Sequence, residues 1–295
     1  MNVEVQIVNA FVDNGEGGNP AGVVLDAQAY SAEQKQRIAA LAGLSETAFI
    51  SPSECADFKL EFFTPTRQIP HCGHATIASF SYLKQIGRIP SARSSKETID
   101  GTREIFIDGE MAFMEQHAPR YIELGAATRG IDAAGALAAI GLGLEDLLEG
   151  HQPVVVNTGN SFLVIPLKDE AAMKAIRPDF PAIGAIGEQL DLVGFYPFSP
   201  QSQLSGRHAG ARMFAPHYGI PEEAATGMAA GPLACYLYDR LKIRGEGDIL
   251  VEQGRLMSPP SPSIIHVRLE TTGGHIEKLV AGGKARLTGN RIVTL

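Results

Sequence analysis

The sequence predicts an α+β protein made by duplication: two similar domains, each a curled, mostly antiparallel sheet (barrel-like) around a central helix. Three observations carry this expectation. First, Phe62-Phe63-Thr64-Pro65, then Ile69-Pro70, then the small turn Cys72-Gly73 lead into an apolar helix, and the second half repeats that order. There the chain reads Met213-Phe214-Ala215-Pro216, Gly219-Ile220-Pro221 and Ala225-Thr226-Gly227 before another apolar helix. Second, both helices are apolar on almost every face, so each needs other structure wrapped around it. Third, the strand-like stretches are short and numerous, which does not suit a doubly wound parallel sheet. The repetition suggests two helix starts facing one another across a cleft.

The whole chain is consistent with that plan. Its 295 residues are long enough for two domains with separate cores. A net charge of −8 argues against a nucleic-acid surface, which needs clustered Lys and Arg. No apolar run approaches the roughly 20 residues of a membrane span. Met1-Asn2-Val3-Glu4-Val5 has neither the basic start nor the apolar core of a signal peptide. Three cysteines (Cys55, Cys72, Cys235) without Cys-x-x-Cys spacing give no disulfide framework and no zinc knuckle, so a reducing cytoplasm is expected.

Val3, Val5 and Ile7 alternate with polar residues and predict an opening strand. The glycine-rich loop Asp13–Pro20 precedes a strand through Val23-Val24-Leu25 and lacks the glycine spacing of a phosphate loop. Ser31 and Gln34 form a capping box for a helix that Gly43 ends. Leu44–Ile50 reads as a strand carrying Glu46, and Asp57–Phe62 as a strand with one wet face. A helix runs from His74 to Gly87, strands cover Glu104–Asp108 and Met111–Glu115, and Pro119 marks a boundary. Helical stretches near Ile131–Leu142 and Leu144–Leu148 then precede strands at Val154–Asn157 and Phe162–Pro166. Ser199–Gly210 reads as an exposed loop. The second apolar helix runs from Met228 to about Leu241, with Pro232 expected in its first turn, where a missing N–H costs little. Short strands are expected at Ile249–Glu252, Ile264–Glu270, His275–Val280 and Lys284–Thr294.

Glu46 stands between Ser45 and Thr47 beside Ala48, Phe49 and Ile50. Burial of that strand would raise its pKa toward the range of a general acid/base. His74 follows Gly73 at a helix start, whose free N–H groups and partial positive charge suit a carboxylate. Its imidazole could donate a hydrogen bond or shuttle a proton. His71-x-x-His74 is a poor metal pair, because no third ligand follows at helical spacing, so no metal is expected. A two-thiol racemase needs one cysteine per half; the second turn has none, and Cys235 falls inside its helix as a core residue.

Asn19-Pro20-Ala21, Ser45-Glu46-Thr47-Ala48-Phe49, Phe63-Thr64-Pro65, Cys72-Gly73-His74-Ala75-Thr76 and Ala225-Thr226-Gly227 occur in this order along the chain. Together they resemble the phenazine-biosynthesis PhzF-like isomerase family, most closely its YddE-type bacterial members. The resemblance covers essentially the full length. It implies the diaminopimelate epimerase-like fold, with residues 1–118 plus 283–295 as one domain and 119–282 as the other. It also implies Glu46 as the acid/base that moves a proton between carbons, with His74 as partner. Asn19, Gly73, Glu223, Thr226, Gly227 and Met228 would bind the substrate, a small carboxylate. The family's second-half motif usually reads Glu-Asp-Pro-Ala-Thr-Gly-Ser. Here Glu223 replaces the aspartate and Met228 the serine. Losing a hydroxyl in a pocket changes which substrate fits. The resulting expectation is a cofactor-independent isomerase, a homodimer with no nucleic-acid or membrane partner. Its rivals are an amino-acid epimerase or racemase and a non-catalytic ligand- or protein-binding member.

Overall fold

The computed structural model describes all residues except 203, 245 and 246. The chain divides into two compact units, Met1–Glu115 with Gly282–Leu295, and Gln116–Ala281.

The first unit contains β1 (Asn2–Ala10), β2 (Asn19–Val24), α1 (Ala32–Ala42), β3 (Thr47–Ser51), β4 (Phe58–Phe63), β5 (Gln68–Ile69), α2 (Gly73–Gln85), β6 (Arg93–Thr98), β7 (Gly101–Asp108) and β8 (Met111–His117). The Ser31–Gln34 capping box is present at α1, and Gly43 caps its end in the left-handed region, as the local sequence predicts. In α2 every residue from Gly73 to Leu83 is buried, because the helix packs on β1, β2, β3 and β7. A second core layer lies outside the sheet, where Ile38, Ala39 and Ala42 of α1 meet Val3, Val5, Phe49 and Phe63. That layer narrows the wet face expected of β4: Lys59 and Glu61 are half-buried, while Leu60 and Phe62 face the core. Phe62 and Phe63 are both buried, and Glu61 is held by Lys35 of α1.

The second unit contains β9 (Arg120–Glu123), α3 (Ala133–Ala138), β10 (Val154–Asn157), β11 (Ser161–Pro166), α4 (Glu170–Ala175), α5 (Phe180–Leu190), β12 (Gly194–Ser199), β13 (Ala209–Ala211), β14 (Met213–Ala215), β15 (Ile220–Glu223), α6 (Gly227–Asp239), β16 (Ile249–Gln253) and β17 (Ser263–Thr272). Helix α6 is the buried centre here, packed on β10, β11, β16 and β17. A separate cluster joins α3, α4 and α5 to β11, β12 and β14 through Leu137, Met173, Ile183, Leu163, Phe195 and Phe214. The stretch Ser199–Gly210 is less open than expected: Ser199 ends β12, and Ala209 and Gly210 belong to β13, while residue 203 lies outside the described residues. Leu144–Asp146 is a single 3-10 turn. Pro232 lies past the first turn of α6 and so removes a helix-interior donor, contrary to expectation.

The last strand, β18 (His275–Thr294), is one 20-residue strand rather than the two short ones expected. Its C-terminal part belongs to the first unit and pairs antiparallel with β1, from Ala10↔Ala285 to Asn2↔Thr294. It also pairs with β8, where Lys284 reaches Glu110 at 2.7 Å. The pairings β1–β2, β2–β3, β3–β4, β4–β6, β6–β7, β7–β8, β8–β18 and β18–β1 therefore return to their start. The first unit is a closed barrel with α2 inside it, and closure removes every exposed edge from the ring. Among the described residues, no helix is long and apolar enough to cross a membrane.

Candidate active site

Glu46 sits one residue before β3 rather than within the strand. Its backbone is fixed because the Gly22 N–H of β2 donates to the Glu46 carbonyl at 2.9 Å. Position 22 must be small, since a Cβ there would come within 2.6 Å of Thr47 Oγ1. His74 is the second residue of α2. The two side chains, 8% and 5% exposed, bring Glu46 Oε2 and His74 Nε2 to 3.2 Å, an ion-pair distance. On its other side the imidazole meets a thiol, with His74 Nδ1 3.6 Å from Cys72 Sγ. One ring thus bridges a carboxylate and a cysteine.

The electrostatics of Glu46 differ from the sequence-based expectation. Burial does push its carboxyl upward and is the largest single influence. The adjoining His74, by contact and charge, together with the Ser45 hydroxyl, outweighs burial and leaves Glu46 below the ordinary carboxylate value. Glu46 is therefore an ionised carboxylate at rest, the form needed to accept a proton. Burial holds the Cys72 thiol above its usual pKa, opposed in part by the charge of His74.

The start of α2 completes the arrangement. Its N-cap, Cys72, makes no side-chain cap hydrogen bond. The buried Gly73 N–H is one of the donors a helix leaves unused in its first turn. Asn19, buried at the start of β2, belongs to the same unit. His71 turns elsewhere: its Nδ1 lies 3.2 Å from Lys96 Nζ, and its ring meets Phe62 edge-on. Among the described residues, Glu46, Cys72 and His74 are the group whose metal-capable atoms converge, within 4.8 Å of one another. Zinc accepts such a donor set, but both ring nitrogens here already face the other two members, and burial keeps the thiol protonated.

In the second unit, Glu223, Thr226, Gly227 and Met228 come together around the start of α6. The Thr226 hydroxyl donates to the Glu223 carboxylate. Gln253 of β16 ties the turn together: its Nε2 donates to Glu223 O at 2.7 Å and to Thr226 Oγ1 at 3.2 Å. Its Oε1 accepts from Thr226 N at 3.2 Å and from the Tyr196 hydroxyl at 2.8 Å. Gln116 Nε2 donates to Gly227 O at 2.9 Å, and Asn160 Nδ2 reaches Met228 Sδ at 3.4 Å. Sequence reasoning missed Gln253, although a glutamine closing the apolar run Ile249-Leu250-Val251 was a usable signal. It also missed Lys96, which is fully buried.

Comparison with known proteins places this architecture among isomerases of the epimerase-like fold. The chain belongs to the PhzC-PhzF family of phenazine biosynthesis-like proteins, whose family model matches residues 8–290. It is 32% identical over 292 residues to the uncharacterized isomerase YddE of Escherichia coli O157:H7, covering 97% of this chain and 96% of that one. The trans-2,3-dihydro-3-hydroxyanthranilate isomerase of Pseudomonas chlororaphis is 30% identical over 296 residues, covering 98% of each chain. A Bacillus anthracis phenazine biosynthesis protein of the PhzF family superposes with a TM-score of 0.89 at 25% identity, over 100% of both chains. The protein is an isomerase of this family.

Proposed function

We propose that the protein moves a proton between carbons of a small carboxylate substrate by general acid/base catalysis at Glu46, without a cofactor. The buried Glu46–His74 pair beside the uncapped start of α2 is the observation that carries this reading. Ionised Glu46 takes a proton from an activated carbon, becomes a neutral acid, and returns the proton to another carbon. The double bond shifts and no proton is gained or lost overall. The Gly73 N–H and the positive end of α2 meet the enolate-like charge that develops in between. His74 orients the Glu46 carboxylate and stabilises its charged form. Asn19 and the turn of Glu223, Thr226, Gly227 and Met228 select the substrate. Methionine in place of the family's usual serine favours a less polar group than a hydroxyl would bind.

The test is deuterium uptake from heavy water, read by NMR. The first compound to offer is trans-2,3-dihydro-3-hydroxyanthranilate, on which the Pseudomonas chlororaphis relative acts. Glu46→Gln is expected to lower exchange by at least about 100-fold with the fold intact. Undiminished exchange in that variant would overturn the reading. The thiol on the far side of His74 favours one alternative, epimerisation with two proton carriers. Inversion of an amino acid's α-carbon, seen by chiral chromatography, would decide for it. All three cysteines are free, including exposed Cys55, which supports a reducing cytoplasm. The family resemblance implies a homodimer, to be checked by light scattering.

A further inference from the structure

Lys96 of β6 has no exposed surface. Charged lysines are almost never fully buried unless paired, yet among the described residues Lys96 forms no ion pair with a carboxylate. What surrounds its Nζ instead is a set of three acceptors. Thr76 Oγ1 lies at 2.7 Å, His71 Nδ1 at 3.2 Å and Met114 Sδ at 3.7 Å. An ammonium has three donors and no acceptor, so this shell fits the charged form. The Phe62 ring, 5.4 Å from Nζ to its centroid, adds a face that favours a cation. His71 can act as an acceptor because its pKa is pushed down to about 3, first by burial and then by the charges of Lys96 and Arg103. These four neighbours are neutral, so none of them cancels the charge.

Thr76 passes that charge on. Its hydroxyl accepts from Lys96, so its own proton points to the Cys72 carbonyl oxygen at 2.7 Å. The Thr76 N–H reaches the same oxygen at 3.2 Å. The Cys72 carbonyl and the Gly73 N–H are the two ends of one peptide group. Hydrogen bonds to the oxygen draw electron density from the nitrogen and strengthen the N–H as a donor.

We infer that Lys96 is a positioning residue: a buried ammonium that, through the Thr76 hydroxyl, polarises the Cys72–Gly73 peptide so that Gly73 N–H holds the substrate's negative charge more firmly. The inference rests on the proposed function for the identity of the anion, though not for the polarisation itself. A role as mere core filling fits poorly, because methionine would fill the same space without the cost of burying a charge. Burial lowers the Lys96 pKa to about 7, with the charge of Asp100 pulling it up and that of Arg103 pushing it down. The ammonium is therefore present below about pH 7 and lost above it. An anion arriving at Gly73 raises the lysine's pKa and takes up a proton, so carboxylate affinity falls as pH rises through 7.

The chain contains one Cys–Gly peptide, Cys72–Gly73. Protein labelled with carbonyl-13C cysteine and 15N glycine thus gives a single cross-peak in an HNCO spectrum, reporting both ends of that peptide without a ligand. In the wild type the peak is expected to move between pH 5.5 and 9 with a midpoint near 7. Lys96→Met should shift the peak at pH 6 and flatten the titration, while melting no lower than the wild type. Thr76→Val should flatten it with Lys96 still present. A peak at the same position in wild type and Lys96→Met at pH 6, or the same titration in both, would overturn the inference. Substrate kinetics separate this from the isomerase reading. If Glu46-dependent exchange is found, Lys96→Met should raise KM at pH 6 by about tenfold, and an unchanged KM would overturn the inference. If no exchange is found, the isomerase reading falls and the peptide titration is judged alone.

Discussion

Glu46 shows how burial and a single neighbour compete at one residue. Its carboxyl is held below the ordinary carboxylate value, so the base form survives to lower pH than in an unperturbed glutamate. The acid limb of kcat/KM should therefore lie below the ordinary glutamate pKa of about 4.3, and a limb clearly above it would mean that burial had won. The linkage has a definite sign. A depressed carboxyl contributes stability above its unfolded pKa and loses it as pH falls through the folded one. Replacing His74 by Gln should move the acid limb upward, measurably by a pH–rate profile. The two residues themselves were legible, because a carboxylate among small apolar neighbours and a histidine after glycine at a helix start are local patterns. The direction of the Glu46 shift was not legible, since it depends on two residues 28 positions apart meeting at 3.2 Å. Lys96 was hidden for a related reason. Arg93-Ser94-Ser95-Lys96-Glu97-Thr98 reads as a polar surface, and only the barrel's closure turns alternate members inward.

Among the elements, α2 is tied to the barrel by Ser81 as well as by apolar packing. The Ser81 hydroxyl donates to Glu110 O at 2.6 Å and accepts from Ala285 N at 2.9 Å. Ser81→Ala would strand a buried N–H and a carbonyl, costing about 1–3 kcal/mol in chemical denaturation. Ser31→Ala removes one half of a capping box at the surface and should cost only about 1 kcal/mol. The difference tests whether the central helix is the stiffer anchor. The central helices and the α1 box could be read directly, since their signals lie within a dozen residues. Helix α5 had signals that went unread: Asp179 caps the Ala182 N–H, Pro181 stands in the first turn, and Ile183 and Ile186 follow at helical spacing. Helix α4, at six residues, is too short for periodicity to show. The full length of β18 was obscured by Gly282 and Gly283, which read as a turn. Gly282 instead allows close approach to Ala112 and Phe113 in the barrel wall.

At the scale of the molecule, the first unit is discontinuous in sequence, with residues from both ends of the chain. The duplicated plan was visible from the repeated turn-and-helix order. That the C-terminal strand joins the first unit came only from the family resemblance, because pairing between the first and last strands leaves no local trace. Removing residues 285–295 would leave β1 with an unpaired edge. The expected result is loss of cooperative unfolding in the first unit and aggregation, seen by hydrogen exchange and soluble yield. A truncated chain that kept full exchange protection in β1 would contradict the closed ring.

Closure by the final strand also sets a timetable for synthesis. The first unit's opening segment leaves the ribosome with its barrel unfinished and waits while the whole second unit is made, roughly ten to thirty seconds at ordinary translation rates. During that interval β1 and β8 are exposed, adhesive edges in need of a chaperone or a transient cover. The chain ends offer a remedy, since Leu295 N–H donates to Met1 O at 3.0 Å and the two termini lie side by side. A permutant that joins them and begins at Gln116 would emit the barrel as one uninterrupted run, and should reach its native form with less demand on the cell's folding helpers.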